Sequence, residues 1–167
     1  MTRYDEIQQL KERLFQKDQL LLSARAELAI AMINHFGKEA EMVIKKVVNA
    51  STRTWAASVA ESDKQAHKKN DIQGLINFLW KPLVQEGFEF TYENHDQCYQ
   101  LHVTKCPIAD AAKAMNLEKW GFIFYCMGDE AICEGYNPDI RFTRTKTLME
   151  GDAYCNHCYS YHTRKKR

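Results

Sequence analysis

The sequence is short of helix breakers. Its 3 prolines and 7 glycines in 167 residues leave no long flexible linker, and no internal repeat or low-complexity segment divides it. It also lacks an excess of either charge. With 23 basic and 22 acidic residues the formal net charge is +1, so the electrostatic footprint of a nucleic-acid binder is missing. No apolar stretch approaches the roughly 18 residues that would cross a bilayer. The opening "MTRYDEIQQLKERLFQKDQ" is too charged to read as a secretory signal. No nucleic-acid or membrane partner is therefore expected, a cytoplasmic location is, and the six cysteines (98, 106, 126, 133, 155, 158) should mostly stay reduced. The basic run 163–167 reads as a solvated tail.

What is present suits one domain over residues 1–167, since 45% of the residues are hydrophobic and the length supports a real core. Residues 1–86 read as mainly helical. Tyr4, Ile7, Leu10 and Leu14, then Leu21, Leu28, Met32, Ile33 and Phe36, follow helical spacing up to a stop at Gly37. A second helix carries Ala40, Val43, Ile44, Val47, Val48, Trp55 and Val59 and ends in "ESDKQAHKKN". A third starts at the N-cap Asp71 and should stop near Lys81, ahead of Pro82. Residues 87–162 change period. "FEFTY" and "CYQLHV" alternate around the turn residues "ENHDQ", predicting a hairpin over 87–104. Helices over 107–116 and 118–134 follow, then strands over 139–147 and 153–162 joined through Gly151-Asp152. The fold class is α+β, a helical half packed on a small antiparallel sheet. The N-terminal helix, with Ile7, Leu10 and Leu14 far from any obvious partner, is a candidate homodimer interface.

Three segments carry candidate chemistry. In "YCMGDEAICEG", Cys126, Asp129, Glu130 and Cys133 fall at i, i+3, i+4 and i+7, which loads one helix face with thiols and carboxylates; the plain alternative is buried cysteines and solvated acids. In "DIRFTRTKT", alternation puts Arg144 on the face of Ile140 and Phe142, so its guanidinium points inward and needs a carboxylate, from Asp129, Glu130 or a ligand. In "CNHC", alternation sets Cys155 and His157 together and Cys158 apart, which disfavours both a zinc ligand pair and a redox CxxC. An imidazole near Cys155 could activate its thiol, and His102, with Cys98 and Gln100, could add polar groups.

Residues 126–157, "CMGDEAICEGYNPDIRFTRTKTLMEGDAYCNH", resemble the L-2-amino-thiazoline-4-carboxylic acid hydrolase family, which shows a Cys and an Asp on a helix, a GxNP-like turn at Asn137, an RTKTLM-like run and GDxxC. Cys106-Pro107 resembles the family's Cys-Pro step. The same half is more distantly similar to vinyl-reductase-type small-molecule-binding domains. Several of those bind zinc, but Arg144 and Thr147 stand where that pattern has Glu and Cys ligands. The resemblance implies a hydrolase that opens a small cyclic amidine such as 2-amino-thiazoline-4-carboxylate to an N-carbamoyl-cysteine, with no metal and no cofactor. It implies Cys126, Asp129, Cys155 and His157 as catalytic residues, and Arg144, Cys106, His102 and Asn137 around the substrate. The competing readings are a non-catalytic sensor-like binding domain, and a metal protein using Cys126, Cys133, Cys155 and Cys158.

Overall fold

The structure is a computed structural model that describes residues 2–95 and 98–162. Helix α1 (Arg3–Phe36) opens with a capping box, in which the Thr2 hydroxyl accepts from the Asp5 N–H and the Asp5 carboxylate accepts from the Thr2 N–H. It runs unbroken to Gly37, whose φ of 79° is unfavourable for other residues. Helix α2 (Glu39–Gln65) ends inside the predicted polar stretch. Asp71 caps α3 (Ile72–Leu75) as expected, accepting from the Gly74 N–H at 2.8 Å. The predicted stop near Lys81 is corrected. The chain widens into a π-helical turn, Ile76–Trp80, and continues through α4 (Lys81–Leu83). Lys81 N–H bonds the Ile76 carbonyl five residues back, and Pro82 falls in the first turn of α4, where an N–H is not required.

The hairpin forms from β1 (Glu89–His95) and β2 (Cys98–Lys105). Of its predicted turn, Glu93 to His95 belong to β1, and Asp96 and Gln97 lie outside the described residues, as does the 163–167 tail. After α5 (Pro107–Ala114), the helix predicted over 118–134 is interrupted. It is built as α6 (Glu118–Gly121), a second π-helical turn at Phe122–Cys126, and α7 (Asp129–Tyr136). Strand β3 (Ile140–Thr143) stops earlier than expected, because the amides of Thr145 and Lys146 bond the Asn156 side chain at 3.0 and 2.7 Å instead of extending the ladder. A 3-10 turn at Leu148–Glu150 leads to β4 (Cys155–Tyr161). The sheet is antiparallel in the order β1-β2-β4-β3, so the class is α+β.

Two apolar clusters form the interior. One packs Ile72, Leu75, Ile76 and Trp80 against Leu101, Ile132 and Tyr159. The other packs Leu22, Ala26 and Ala29 of α1 against Ala109, Trp120, Ile123 and Met149. Cys106, Ile108 and Leu148 border both. The Trp80 indole N–H donates to the Tyr159 hydroxyl at 2.9 Å, tying the first π-helical turn to the central strand β4. On the sheet's other face Cys98 and Cys158 are joined by a disulfide, which corrects the expectation of reduced thiols for this pair. Antiparallel pairing brings their Cα atoms to 5.7 Å, within the usual bridging range.

Helices α2 and α7 touch closely because Gly135 carries no side chain. A Cβ there would collide with the Arg53 carbonyl and crowd Ala56. Gly135→Ala should therefore destabilise the fold by roughly 1–3 kcal/mol in chemical denaturation, although alanine favours helices. Burial pushes the Cys133 thiol up to about 12. The unfolded chain loses this proton near the ordinary value of 9.0 while the native chain keeps it, so this thiol makes stability fall between about pH 9 and 12. In Cys133→Ala the unfolding free energy should decline less steeply over that window, by about 1.4 kcal/mol per pH unit.

Candidate functional site

A chamber of about 140 Å³ lies where the two clusters meet. Its walls are largely apolar, with Leu79, Trp80, Leu83, Phe88, Val103 and Ile108 among them. Both π-helical turns end at this chamber, the first with Leu79 and Trp80 and the second with Tyr125 and Cys126. A π turn adds a residue per turn and shifts the face that follows, a distortion that recurs at functional sites.

One edge of the chamber is charged. Arg144, just past β3, forms an ion pair with Asp129, the first residue of α7, and its second Nη donates to the Cys126 carbonyl at 3.2 Å. The side chains of Arg144 and Asp129 are only 9% and 12% exposed. The guanidinium also lies 5.6 Å from the ring centroids of both Phe122 and Phe142. His157 on β4 completes the cluster, with Nε2 3.3 Å from Arg144 Nη1 and 3.5 Å from Asp129 Oδ2. When Nε2 accepts from the guanidinium, the imidazole proton resides on Nδ1. In either tautomer Nδ1 is buried with no hydrogen-bond partner among the described residues. The Tyr125 hydroxyl, on another wall, is buried and unpartnered as well. Desolvation there raises its pKa, so it stays a neutral phenol.

Cys106, Cys126 and Cys155 also line the chamber. Burial pushes the Cys106 thiol up to about 12 and the Cys126 thiol higher, the latter reinforced by the Asp129 charge. Neither is a thiolate at neutral pH. Cys106 Sγ caps α5 by accepting from the Ala109 N–H at 3.4 Å. Cys155 Sγ accepts from the Leu148 N–H at 3.2 Å and donates to the Thr147 hydroxyl at 3.7 Å.

Six of the eight residues singled out in the sequence thus meet at one cavity: Cys106, Cys126, Asp129, Arg144, Cys155 and His157. Arg144 points inward as alternation requires, with Asp129 as its carboxylate. Cys155 and His157 share a buried strand face, but the expected thiol–imidazole activation is corrected, because the thiol is engaged with Thr147 and Leu148 while Nε2 faces Arg144. His102 is placed elsewhere. Leu101 and Val103 point inward, so His102 lies on the outer face with Cys98 and Gln100 and stacks on Tyr154 at 5.1 Å. Asn137 orders the turn before β3, donating to the Asn70 carbonyl at 2.6 Å and accepting from the Asp139 N–H. Of the four residues expected on one face from 126 to 133, Cys126 and Asp129 meet at the chamber, while Glu130 is exposed and Cys133 sits in the core. Trp80 and Tyr125 were missed, since an ideal helical repeat carries no sign of a π turn.

The sequence model of the L-2-amino-thiazoline-4-carboxylic acid hydrolase family matches residues 17–159. No curated protein matches the chain. Among solved structures it is similar to a trafficking protein particle complex subunit 3 from Naegleria fowleri, described as covalently bound to palmitic acid. That match has a TM-score of 0.52 at 12% identity and covers 87% of this chain and 95% of the other, a likeness of fold. Because the family model spans most of its length, this chain belongs to the L-2-amino-thiazoline-4-carboxylic acid hydrolase family.

Proposed function

We propose that this chain is a hydrolase that opens a small cyclic amidine acid such as 2-amino-thiazoline-4-carboxylate to an N-carbamoyl-cysteine. The observation that carries this reading is the buried Arg144–Asp129–His157 cluster beside an apolar chamber, with His157 Nδ1 left unpartnered. A void of roughly 150 Å³ admits a single small ring, so a chamber of about 140 Å³ suits one heterocycle. Arg144 draws in the substrate carboxylate with the donors that Asp129 and the Cys126 carbonyl leave free. Water adds through oxygen to the ring C2 as the C2=N π bond opens onto nitrogen. Of its two protons, one goes from the new C2 hydroxyl to that ring nitrogen as C2=O forms, and the other passes to the His157–Asp129 pair. The C2–S bond then breaks with its electron pair on sulfur, which takes up that proton as a thiol. Raised thiol pKa values at Cys106 and Cys126 favour this water route over attack by either of those two thiols.

The runner-up is a binding domain without turnover, favoured by the apolar walls. Covalently bound palmitic acid, as named for the structural neighbour, suits the site less well, because a long acyl chain exceeds the chamber and the Cys106 and Cys126 thiols are held protonated.

Incubation with 2-amino-thiazoline-4-carboxylate should release free thiol. Asp129→Asn and His157→Gln, checked for folding, should lower that rate about 10²–10⁴-fold, while Cys126→Ser stays within about tenfold of wild type. Protection against thermal unfolding by this compound without thiol release would favour the binding domain. Tyr125→Phe removes a buried hydroxyl that has no hydrogen-bond partner among the described residues, so the free protein should be as stable as wild type or slightly more so. The same variant should raise KM by roughly three- to tenfold with little change in kcat, a split that steady-state kinetics reads directly.

A further inference from the structure

Helix α1 carries an apolar seam that the domain, apart from half-burying Leu14, does not use. Its rows repeat every seven residues: Ile7, Leu14, Leu21 and Leu28 in one, Leu10, Lys17, Ala24 and Ala31 in the other. The helix is continuous from Arg3 to Phe36, so both rows lie on one side. Leu10 and Leu28 are 59% and 65% exposed, and Ile7 and Leu21 are exposed too. A different face of the same helix, with Leu22, Ala26 and Ala29, is already buried in the second cluster. The seam is therefore an extra surface rather than an unfilled part of the core. A seven-residue apolar repeat sustained over four heptads is the pattern by which helices pair.

The flanking charges identify the occupant. In a parallel, in-register pair, each residue preceding a first-row position faces the residue five places later on the other helix. Here Glu6 meets Lys11 of a second copy, and Arg13 meets Asp18 of a second copy. The next two such pairs, Leu20 with Arg25 and Glu27 with Met32, bring no like charges together. Lys17, the only charged residue in the two rows, can lay its stem along the seam and keep its ammonium in water. Ala24 and Ala31 allow close approach of the helices. We propose that α1 pairs with α1 of a second copy of this chain in a parallel, in-register homodimer. The inference rests on none of the chemistry assigned to the chamber.

The test is the mass of the full chain in solution. Light scattering should give twice the 19.5 kDa of the single chain. Leu21→Glu combined with Leu28→Glu should halve that mass with an unchanged circular dichroism spectrum, because both side chains are exposed in the single chain. Glu6→Lys should weaken the dimer about tenfold and Glu6→Lys with Lys11→Glu should restore it, a rescue that unspecific apolar adhesion would not produce. Leu10→Cys should give a covalent dimer on mild oxidation, judged against the wild-type chain. A monomeric wild type, a dimer indifferent to the double glutamate variant, or a dimer that Leu10→Cys fails to cross-link would each overturn the proposal.

Discussion

The ion pair between Arg144 and Asp129 is the interaction around which this molecule is arranged. It joins the chain leaving the edge strand β3 to the first residue of α7, and it draws His157 of β4 into the same cluster. Two charges so well screened from water cost several kcal/mol each to desolvate, and their attraction offsets that cost only when the remaining donors are also engaged. Arg144 meets this condition in part, through the Cys126 carbonyl and the faces of Phe122 and Phe142, and keeps donors that a ligand carboxylate can take. Losing either partner would strand a charge in an apolar setting.

The chamber exists beside this pair because both nearby helices depart from regular geometry. Each π-helical turn displaces the residues that follow it, which brings Trp80 into the wall on one side and Tyr125 and Cys126 on the other. The outcome is an apolar pocket with few polar groups along its walls; of those wall residues, His157 Nδ1 and the Tyr125 hydroxyl are buried with no hydrogen-bond partner among the described residues. Buried polar groups are nearly always satisfied.

The two faces of the sheet are equally divided in character. Strand alternation sends Leu101, Val103, Cys155, His157 and Tyr159 to the interior, and sends His102, Cys98 and Cys158 to the other side, where the disulfide ties β2 to β4. Cysteines three positions apart on β4 thus have unrelated surroundings, one bonded to Thr147 and Leu148 in the interior and the other cross-linked on the outer face.

Local periodicity was enough to establish the α+β class, the helical run stopping at Gly37, the hairpin, the inward Arg144 and the separation of Cys155 from Cys158. Each of these depends on the regular repeat of a helix or strand, which a single sequence displays. The family resemblance was also legible, because its motif occupies one contiguous stretch. Tertiary structure alone decided the rest. A π turn is stabilised by packing rather than by a residue pattern, so the roles of Trp80 and Tyr125 in the wall were invisible beforehand. His102 was drawn towards the site by its chemistry, and strand pairing placed it outside. The Cys98–Cys158 bridge required the register of two strands 60 residues apart in sequence, a distance over which composition says nothing about contact.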